Sequence, residues 1–328
     1  MVAANREACF FHSAAWAKVL HETYGHSPLY FGRVNGDRLS ALLPVMEVNS
    51  PLTGRRGVSL PFTDECGFLT DGSHTVEDAF RDAADFGRER RWKYLECRGI
   101  SGLPASAQPS LSFYGHVLSV SEREDHIFKR FDSSVRRAIH KAEKEKVQVE
   151  VAQSLESMQA YYSLHCKTRR RHGVPPQSFT FFRSIFRHVL AAGMGFVVVA
   201  RHEGRPIAAA VYFHFGERAI YKFGASDEAF RHLRGNNLVM WEAIKCCSRK
   251  RLARLYFGRI SLANEGLRRF EQGFGTEEYR INYFRYDFRK ESFVTERDRV
   301  YGWYNRVFRL MPLPVSRMVG NLMYRHLS

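Results

Sequence analysis

The sequence predicts an α/β (α+β) fold with two tandem domains of one architecture, a mixed sheet in each, and a basic helical tail. Three observations predict it. The order helix, hairpin, helix, strand occurs twice, the two hairpins align around their turns, and a charged segment at residues 121–127 separates the copies. The predicted domain boundaries are therefore 1–125, 126–290 and 291–328.

Each predicted hairpin has a glycine-containing turn between two apolar runs. The first is YFGRVNGDRLSALLPV, residues 30–45, and the second is VVARHEGRPIAAAVYF, residues 198–213. Glycine supplies the positive φ that a tight turn needs. When the turns are superposed, three identical pairs align: Arg33 with Arg201, Gly36 with Gly204, and Ala41 with Ala209. This alignment favours duplication of one unit.

The segments around the hairpins repeat in the same order. Helical segments at residues 13–24 and 178–192 precede them, the second with apolar side chains at positions i, i+3, i+4 and i+7. After the first hairpin come the helix TVEDAFRDAADFGRERR and the strand WKYLECRG. After the second come NNLVMWEAIKCCSRKR and LARLYFG. The repeated context predicts two α/β domains.

The composition indicates a globular protein with a strongly basic surface. Of 328 residues, 45% are hydrophobic and 14% aromatic, which excludes a disordered or fibrous chain. The 50 Lys and Arg residues exceed the 34 Asp and Glu residues by 16. Such an excess is typical of proteins that bind RNA, DNA, phosphorylated metabolites or an anionic membrane, and the alternative is a merely basic surface.

The cysteines and the apolar runs favour a cytoplasmic location. The six cysteines show no C-x-x-C spacing and are expected to be reduced thiols. The N-terminal stretch lacks the pattern of an export signal. No apolar run approaches the roughly 18 residues of a spanning helix, so any membrane contact is expected to be peripheral, at the inner face.

A basic helix is predicted in FKRFDSSVRRAIHKAEKEKV, where the second domain begins. At 100° per residue the apolar side chains share one arc. The opposite arc holds Arg136, Arg137, His140, Lys141 and Lys144. This cationic arc is a candidate anion-binding surface, and the alternative is a solvated helix face.

A second basic cluster lies in YYSLHCKTRRRHGVPP, at the end of another predicted helix. Cations at a helix C-terminus are stabilised by the helix dipole. This cluster has more of them than capping needs, and arginine binds phosphate or carboxylate with two parallel hydrogen bonds. Arg170 and Arg171 are therefore candidate anion ligands.

The tail from Arg299 to Ser328 contains five arginines and no acidic residue. Its last part has apolar residues at helical spacing, with arginines away from them. Two interpretations stay open: the helix docks on the protein's own core, or it lies in the headgroup layer of an anionic membrane.

Common catalytic motifs are absent from the sequence. No H-E-x-x-H, G-x-S-x-G, Walker A or G-x-G-x-x-G pattern occurs, and no metal site is expected. The remaining expectation is a transferase that positions substrates and moves protons. The loop DEAFRHLRGNN precedes a helix predicted to start at Asn236 or Asn237, where free amide groups bind phosphate or a carbonyl oxygen.

This strand, loop and helix resemble the GNAT N-acetyltransferase superfamily, and the chain as a whole resembles the Fem family of aminoacyl-tRNA-dependent peptidyltransferases. Of the GNAT acyl-CoA pattern Q/R-x-x-G-x-G/A, only Gly235 matches. The Fem resemblance rests on FFHSAAWAKVL, SLPFTDECGFL, VRRAIHKAEKEKV, TRRRHGV and LRRFEQGFG, in that order. It implies two GNAT-like domains, and an acceptor peptide on the lipid-linked peptidoglycan precursor.

The Fem resemblance also implies site residues. Arg171 and Lys18 correspond to ligands of the acceptor's headgroup, and Asp64 to a residue of the acceptor cleft. The family's lysine in R-F-K-K falls on Glu271, so the donor or acceptor is expected to differ.

The stretch YFGRISLANEGLRRFEQGFGTEEYRI adds candidates of its own. Gly258 is expected to end a strand, and Gly273 and Gly275 to release the chain after a helix that overhangs the substrate cleft. Arg259 or Arg268 would then bind a phosphate or carboxylate, and Glu271 would take the amine proton as general base. The alternative is that Glu271 pairs with an arginine on an exposed helix.

These observations predict an enzyme that transfers an acyl or aminoacyl group to an amine of a cell-envelope precursor. Aminoacyl-tRNA or acyl-CoA would be its co-substrate, with no tightly bound cofactor. One alternative is an acyl-CoA-dependent N-acetyltransferase of envelope or exopolysaccharide synthesis. The other is a non-catalytic RNA-binding protein on a GNAT scaffold.

Overall fold

The computed structural model describes residue 2 and residues 5–104, 106–296 and 304–327, with the side chain of Tyr304 left aside. The chain forms two compact units. The first comprises residues 1–114, 280–300 and 322–328, and the second residues 115–279 and 301–321. This division differs from the boundaries at 126 and 291, because the chain returns to the first unit after Tyr279 and again at its C-terminal end.

The first unit contains the succession of helix, hairpin, helix and strand that the sequence predicts. Its elements are α1 (Ala14–Tyr24), β1 (Ser27–Asn35), β2 (Arg38–Ser50), β3 (Gly54–Val58), β4 (Leu69–Thr70), α2 (Val76–Glu89), β5 (Tyr94–Arg98) and, later in the chain, most of β12 (Glu277–Asp287) and β13 (Ser292–Val294). Strands β1, β2 and β3 are antiparallel neighbours, β5 is parallel to β3, and β12 is antiparallel to β5. The predicted first hairpin is confirmed.

The core of the first unit lies between α2 and the sheet. Thr75 caps α2 by accepting a hydrogen bond from the Asp78 amide. Small alanines on the buried face of α2 pack against Leu43, Val45, Trp92 and Leu95. A buried ion cluster accompanies this core, in which Glu96 pairs with Arg98 and Arg285.

The second unit contains the same succession. Strand β6 (Leu111–Ser119) leads into it, followed by α3 (Glu124–Lys129), α4 (Ser133–Lys144), β7 (Gln148–Ala152), α5 (Leu155–Arg171), α6 (Phe179–Ile185) with a π-helical turn at Phe186–Leu190, β8 (Gly195–His202), β9 (Arg205–Phe215), β10 (Arg218–Ser226), α7 (Gly235–Arg249), β11 (Arg254–Ser261) and α8 (Glu265–Gln272). Strands β7 to β10 pair antiparallel in order, and β11 is parallel to β10.

In each unit a run of antiparallel strands, β1 to β3 and β7 to β10, is followed by a helix and a strand parallel to the last strand of the run. The second hairpin joins β8 to β9 and is confirmed. The apolar arc of α4, with Val135, Ile139 and Ala142, is buried in a core shared with α7 and the sheet, so its basic arc faces outward. In each unit the apolar face of the helices packs against the sheet, so the unit forms a layered α/β structure around one core.

The tail is helical where it is described. It forms α9 (Tyr304–Leu310) and α10 (Leu313–Met323), and a short 3-10 segment follows at Tyr324–His326. The first part of the predicted tail, residues 297–303, lies outside the described residues. Within the part of the chain that is described, no helix has the length and apolar character needed to cross a bilayer.

Candidate functional site

The start of α7 in the second unit forms one wall of a cavity of about 170 Å³. Strand β10 ends at Ser226, where the side chain of Thr168 on α5 contacts both the amide and the carbonyl group of Ser226. A single 3-10 segment then leads to Arg234, whose φ of 59° is left-handed. The walls of the cavity comprise Ile207, Ala208, Ser226, Asp227, Phe230, Arg231, Arg234, Gly235, Asn236, Asn237 and Phe270.

Gly235 lets the start of α7 approach β9. A Cβ atom at Gly235 would lie 3.2 Å from the Ala208 Cβ and 3.2 Å from the Ile207 Cδ1, which is tighter than ordinary van der Waals contact. The helix begins at Gly235, one residue before the earliest predicted start, and no side chain of Arg234 caps it. The Asn237 amide donates to the Arg234 carbonyl at 3.0 Å. The amides of Gly235 and Asn236 precede any acceptor of their own helix and suit an anion or a carbonyl oxygen.

The charges around the cavity favour an anionic ligand. Arg231 and Arg234 line it directly. Its one acidic lining residue, Asp227, is already paired with Lys167 at 2.6 Å and with Arg205 at 3.6 Å. Burial alone would raise the pKa of Asp227, but the hydrogen bond from Lys167 holds it below its usual range. The cavity therefore presents arginine charge that Asp227 does not neutralise.

Helix α8 connects this cavity to a buried group of charges. Phe270 on α8 lines the cavity, and the next residue, Glu271, is only 1% exposed. The Oε2 atom of Glu271 lies 3.1 Å from the Nδ1 atom of His116, which is fully buried on β6. The other nitrogen of His116, Nε2, lies 3.1 Å from the Oε2 atom of Glu278. We call Glu271, His116 and Glu278 the carboxylate–histidine chain.

Arg268 closes one end of this chain. It binds Glu278 with two hydrogen bonds, of 2.7 and 2.9 Å. The Arg268 guanidinium holds the pKa of Glu278 below its usual range. At the other end, burial and then the negative charge of Glu271 raise the pKa of Tyr221 on β10. The carboxylate–histidine chain thus extends from the partly exposed ion pair of Arg268 and Glu278 to the buried carboxyl group of Glu271.

Each ring nitrogen of His116 thus lies 3.1 Å from a carboxylate oxygen. Histidine and carboxylate side chains are the groups that most often accept and return a proton in enzymes.

Two glycines after α8 allow close packing against α4 and the end of α3. A Cβ atom at Gly273 would lie 2.8 Å from the Val135 side chain of α4, and one at Gly275, whose φ is 68°, would lie 2.9 Å from the carbonyl oxygen of Arg130, which follows α3. They bring the end of α8, and Glu271 with it, against the start of α4. Gly258 also has a positive φ, of 84°, but β11 continues past it to Ser261, so the predicted strand end was wrong.

The structure brings together some of the predicted site residues of the second unit. Asn236 and Asn237 line the cavity, and Glu271 belongs to the buried chain rather than to an exposed helix face. Arg268 forms an ion pair with Glu278. Arg259 is exposed on β11. The proposed roles of these residues remain predictions.

The predicted basic surfaces lie elsewhere in the second unit. Arg137 and Lys141 are exposed on α4, and Arg136 is half-buried beside them. Arg170 donates a hydrogen bond to the Arg309 carbonyl at 3.3 Å, so it helps to hold α9. Arg171, at the last turn of α5, is half-buried and lies beside His172.

Two predicted site residues belong to the first unit. Lys18 is exposed on α1. Asp64 is half-buried in the loop after β3, where its carbonyl oxygen accepts a hydrogen bond of 2.7 Å from the Tyr283 hydroxyl. The loop is further held by Trp16, whose indole donates to the Pro61 carbonyl at 3.2 Å. A rigid loop of this kind suits a binding surface.

Sequence reasoning missed His116, Glu278, Tyr221, Arg231 and Arg234. A lone histidine in the strand LSFYGHVLS carries no spacing signal, because its partners come from α8 and β12. The two arginines were visible in DEAFRHLRGNN, at the same helix start as the predicted asparagines. Among the described residues, no group of three or more His, Cys, Asp or Glu side chains is arranged to hold a metal ion.

Comparison with known proteins shows which folds this protein is similar to. Residues 129–280 match the model of the acetyltransferase (GNAT) domain. The crystal structure of FemX superposes with a TM-score of 0.67 at 12% identity, covering 88% of this chain and 94% of that one. L-PGS from Bacillus licheniformis superposes with a TM-score of 0.53 at 12% identity, covering 94% and 96%.

A third solved structure is itself described as a tandem GNAT protein, from the clavulanic acid biosynthesis pathway. It superposes with a TM-score of 0.55 at 9% identity, covering 84% of this chain and 88% of that one. No curated protein sequence matches the chain. At these identities the likeness concerns the fold, and it confirms the predicted tandem GNAT-like architecture and the resemblance to the Fem fold.

Proposed function

Because residues 129–280 match a GNAT acetyltransferase domain within a FemX-like fold, we propose that the protein is an acyl- or aminoacyltransferase that acts on an amine. The observation that carries the proposal is the position of α8. It contributes Phe270 to the cavity at the start of α7 and Glu271 to the buried carboxylate–histidine chain. Helix α8 thus contacts both the cavity that would bind the anionic donor and the group that would accept a proton, an arrangement that suits acyl transfer.

The reaction joins the amine nitrogen to the carbonyl carbon of an activated ester or thioester. The N–C bond forms as the bond from that carbon to oxygen or sulfur breaks, and the amine loses a proton. The amides of Gly235 and Asn236 at the start of α7 stabilise the oxyanion of the tetrahedral intermediate. Glu271 and His116 take the amine proton and return it to the leaving alkoxide or thiolate.

The donor is held by its anionic carrier. Arg231, Arg234 and the first turn of α7 suit the phosphates of coenzyme A or of a tRNA end. A cavity of about 170 Å³ is smaller than a site that encloses a whole nucleotide, so it suits one phosphate-bearing or acyl portion of the donor. The similarity to a GNAT acetyltransferase domain favours acyl-CoA, and the FemX-like fold favours an aminoacyl ester.

We assign the acceptor to an amine of a cell-envelope precursor, such as a lipid-linked peptidoglycan intermediate, at the inner face of the membrane. The roles that the Fem resemblance implies for Lys18, Asp64 and Arg171 belong to this assignment. The glutamate at the position of the family's lysine, Glu271, supports a donor or acceptor that differs from that of the classical enzymes.

A donor experiment tests the transferase. The full chain is incubated with panels of acyl-CoA esters and aminoacyl-tRNAs and with envelope-type amines, and new amides are detected by mass spectrometry. Glu271→Gln is expected to lower kcat by a factor of about 100 or more, the usual contribution of a general base. Glu277→Gln, a change at an exposed residue near the start of β12, is the matched control.

The same preparation tests the non-catalytic alternative. An RNA-binding protein would transfer nothing from either panel and would bind RNA with an affinity that falls steeply with salt. Its binding would require Arg136, Arg137 and Lys141 and would be indifferent to Glu271→Gln. Turnover that depends on Glu271 excludes that outcome, whereas salt-sensitive RNA binding without turnover would overturn the transferase proposal.

A further inference from the structure

The two C-terminal helices expose large apolar side chains. Leu310 on α9 is 83% exposed, and Met318 and Leu322 on α10 are each 60% exposed. Val315 is exposed as well. At 100° per residue, Val315, Met318 and Leu322 fall within an arc of about 60° on α10. They therefore form one continuous apolar stripe, which we call the outer stripe.

The inner face of α10 is formed by small residues. Ser316 and Gly320 are both buried and lie one helical turn apart. A Cβ atom at Gly320 would lie 1.9 Å from the Pro176 carbonyl oxygen, so the helix backbone itself packs against this segment. A helix of a globular protein normally turns its large apolar side chains inward. Here the order is reversed, so α10 does not serve to cover the core with its apolar stripe.

Helix α9 is held firmly to the second unit. Asn305, at the start of α9, is buried and donates hydrogen bonds to the Gly173 carbonyl at 2.9 Å and the His172 carbonyl at 3.2 Å. A Cβ atom at Gly173 would lie 2.1 Å from the Asn305 carbonyl oxygen. Helix α9, with Leu310, is thus a fixed element, and Arg170 is bound to its end.

The charges that flank the outer stripe identify its partner. Arg306, Arg309 and Arg325 are exposed, whereas the guanidinium of Arg317 lies over the Tyr162 ring, 5.4 Å from its centroid. From residue 299 to the last residue the sequence has no Asp or Glu. An apolar stripe bordered by arginines is complementary to the headgroup layer of an anionic bilayer. A second copy of the chain would instead bring equal positive charges together across a twofold interface.

We propose that the outer stripe of α10, together with Leu310 on α9, lies in the headgroup layer of an anionic lipid bilayer. Leu310, Val315, Met318 and Leu322 enter the boundary between headgroups and acyl chains, and Arg306, Arg309 and Arg325 bind lipid phosphates. The surface does not depend on the transferase activity. It would dock the protein on the membrane even if the substrate were soluble.

Vesicle sedimentation tests the docking surface. The full chain is mixed with sucrose-loaded vesicles of phosphatidylglycerol in phosphatidylcholine, and with vesicles of phosphatidylcholine alone. The wild-type chain is expected to sediment with the anionic vesicles, and Met318→Glu/Leu322→Glu to lower its partition coefficient at least tenfold. Both residues are exposed, so the fold should tolerate the change. The matched control, Val34→Glu, changes a side chain that is 65% exposed on a hairpin of the first unit.

A second measurement separates insertion from charge attraction. Met318→Trp is expected to lose fluorescence in vesicles with brominated acyl chains, more strongly than the wild-type chain does. Three outcomes would overturn the proposal: no binding to anionic vesicles, equal binding by Met318→Glu/Leu322→Glu, or a wild-type dimer that this variant converts to a monomer. The second would mean attraction by net charge alone, and the third would assign the stripe to self-association.

Discussion

At the scale of single residues, burial determines how much a histidine–glutamate contact contributes to the free energy of unfolding. His116 and Glu271 are almost completely buried, whereas His140 and Glu143 form a contact of the same length, 3.1 Å, on the exposed face of α4. In water the attraction between two such groups is largely screened. Inside the protein a carboxylate without its partner keeps the full cost of desolvation. The same pair of residue types therefore has a different energetic role at the two places.

His116→Ala is expected to lower the free energy of unfolding by about 3–5 kcal/mol, because it leaves the buried Glu271 charge without compensation. His140→Ala, the matched exposed variant, should change it by less than about 1 kcal/mol. Urea unfolding followed by circular dichroism measures both. Equal effects of the two substitutions would mean that the carboxylate–histidine chain carries no buried charge.

At the scale of elements, the start of α7 depends on a residue in an unfavourable conformation. Arg234 is left-handed, which costs a residue other than glycine about 1–2 kcal/mol. Asparagine tolerates that conformation better. Arg251 is left-handed as well, so this conformation by itself does not assign a role. The proposed function gives Arg234 the role of a charge that binds the anionic donor.

Arg231→Ala and Arg234→Asn are each expected to raise the KM for the donor about tenfold, since a hydrogen bond to a charged group contributes about 1.5 kcal/mol. The value of kcat should stay within a factor of about two, because neither change touches the reacting atoms. Arg251→Asn is the matched control: Arg251 is also left-handed and follows the other end of α7. Donor titrations in the transfer assay give both constants. A decrease in kcat without a change in KM would contradict the donor-binding role of the two arginines.

At the scale of the whole molecule, buried ionic groups occur in both units. In the first unit this is Glu96, which is almost fully buried between Arg98 and Arg285. Burial alone would raise the pKa of Glu96, but the two arginines override it and lower the pKa from 4.5 to about 2. A carboxyl group with a lowered pKa contributes stability that is complete above its unfolded-state pKa and is lost as the pH falls.

The free energy of unfolding of the first unit is therefore expected to fall by about 3 kcal/mol between pH 4.5 and about 2 through Glu96 alone. Glu96→Gln should lower it at neutral pH by a similar amount and flatten this part of the profile. Urea unfolding at a series of pH values, with hydrogen exchange of the β5 amides to assign the transition, measures both. Glu89→Gln, at the exposed end of α2, should leave the profile as in the wild-type chain. An unchanged profile in Glu96→Gln would contradict the assignment.

The sequence by itself determined the repeated architecture, both hairpins, the amphipathic α4, and, to within one residue, the start of α7, predicted at Asn236 or Asn237 and found at Gly235. These features are set by local periodicity and by turn residues such as Gly36 and Gly204, and neighbouring residues carry that information. It also drew attention to Glu271, through its place in LRRFEQGFG.

Only the tertiary structure decided what Glu271 contacts and which way α10 faces. His116 lies 155 residues before Glu271 in the chain, so no spacing rule joins them, and only the packing of α8 brings them to 3.1 Å. Likewise, the periodicity of α10 predicts an apolar stripe but not its direction. That direction follows from the contact of Gly320 with Pro176, which has room for backbone but not for a side chain.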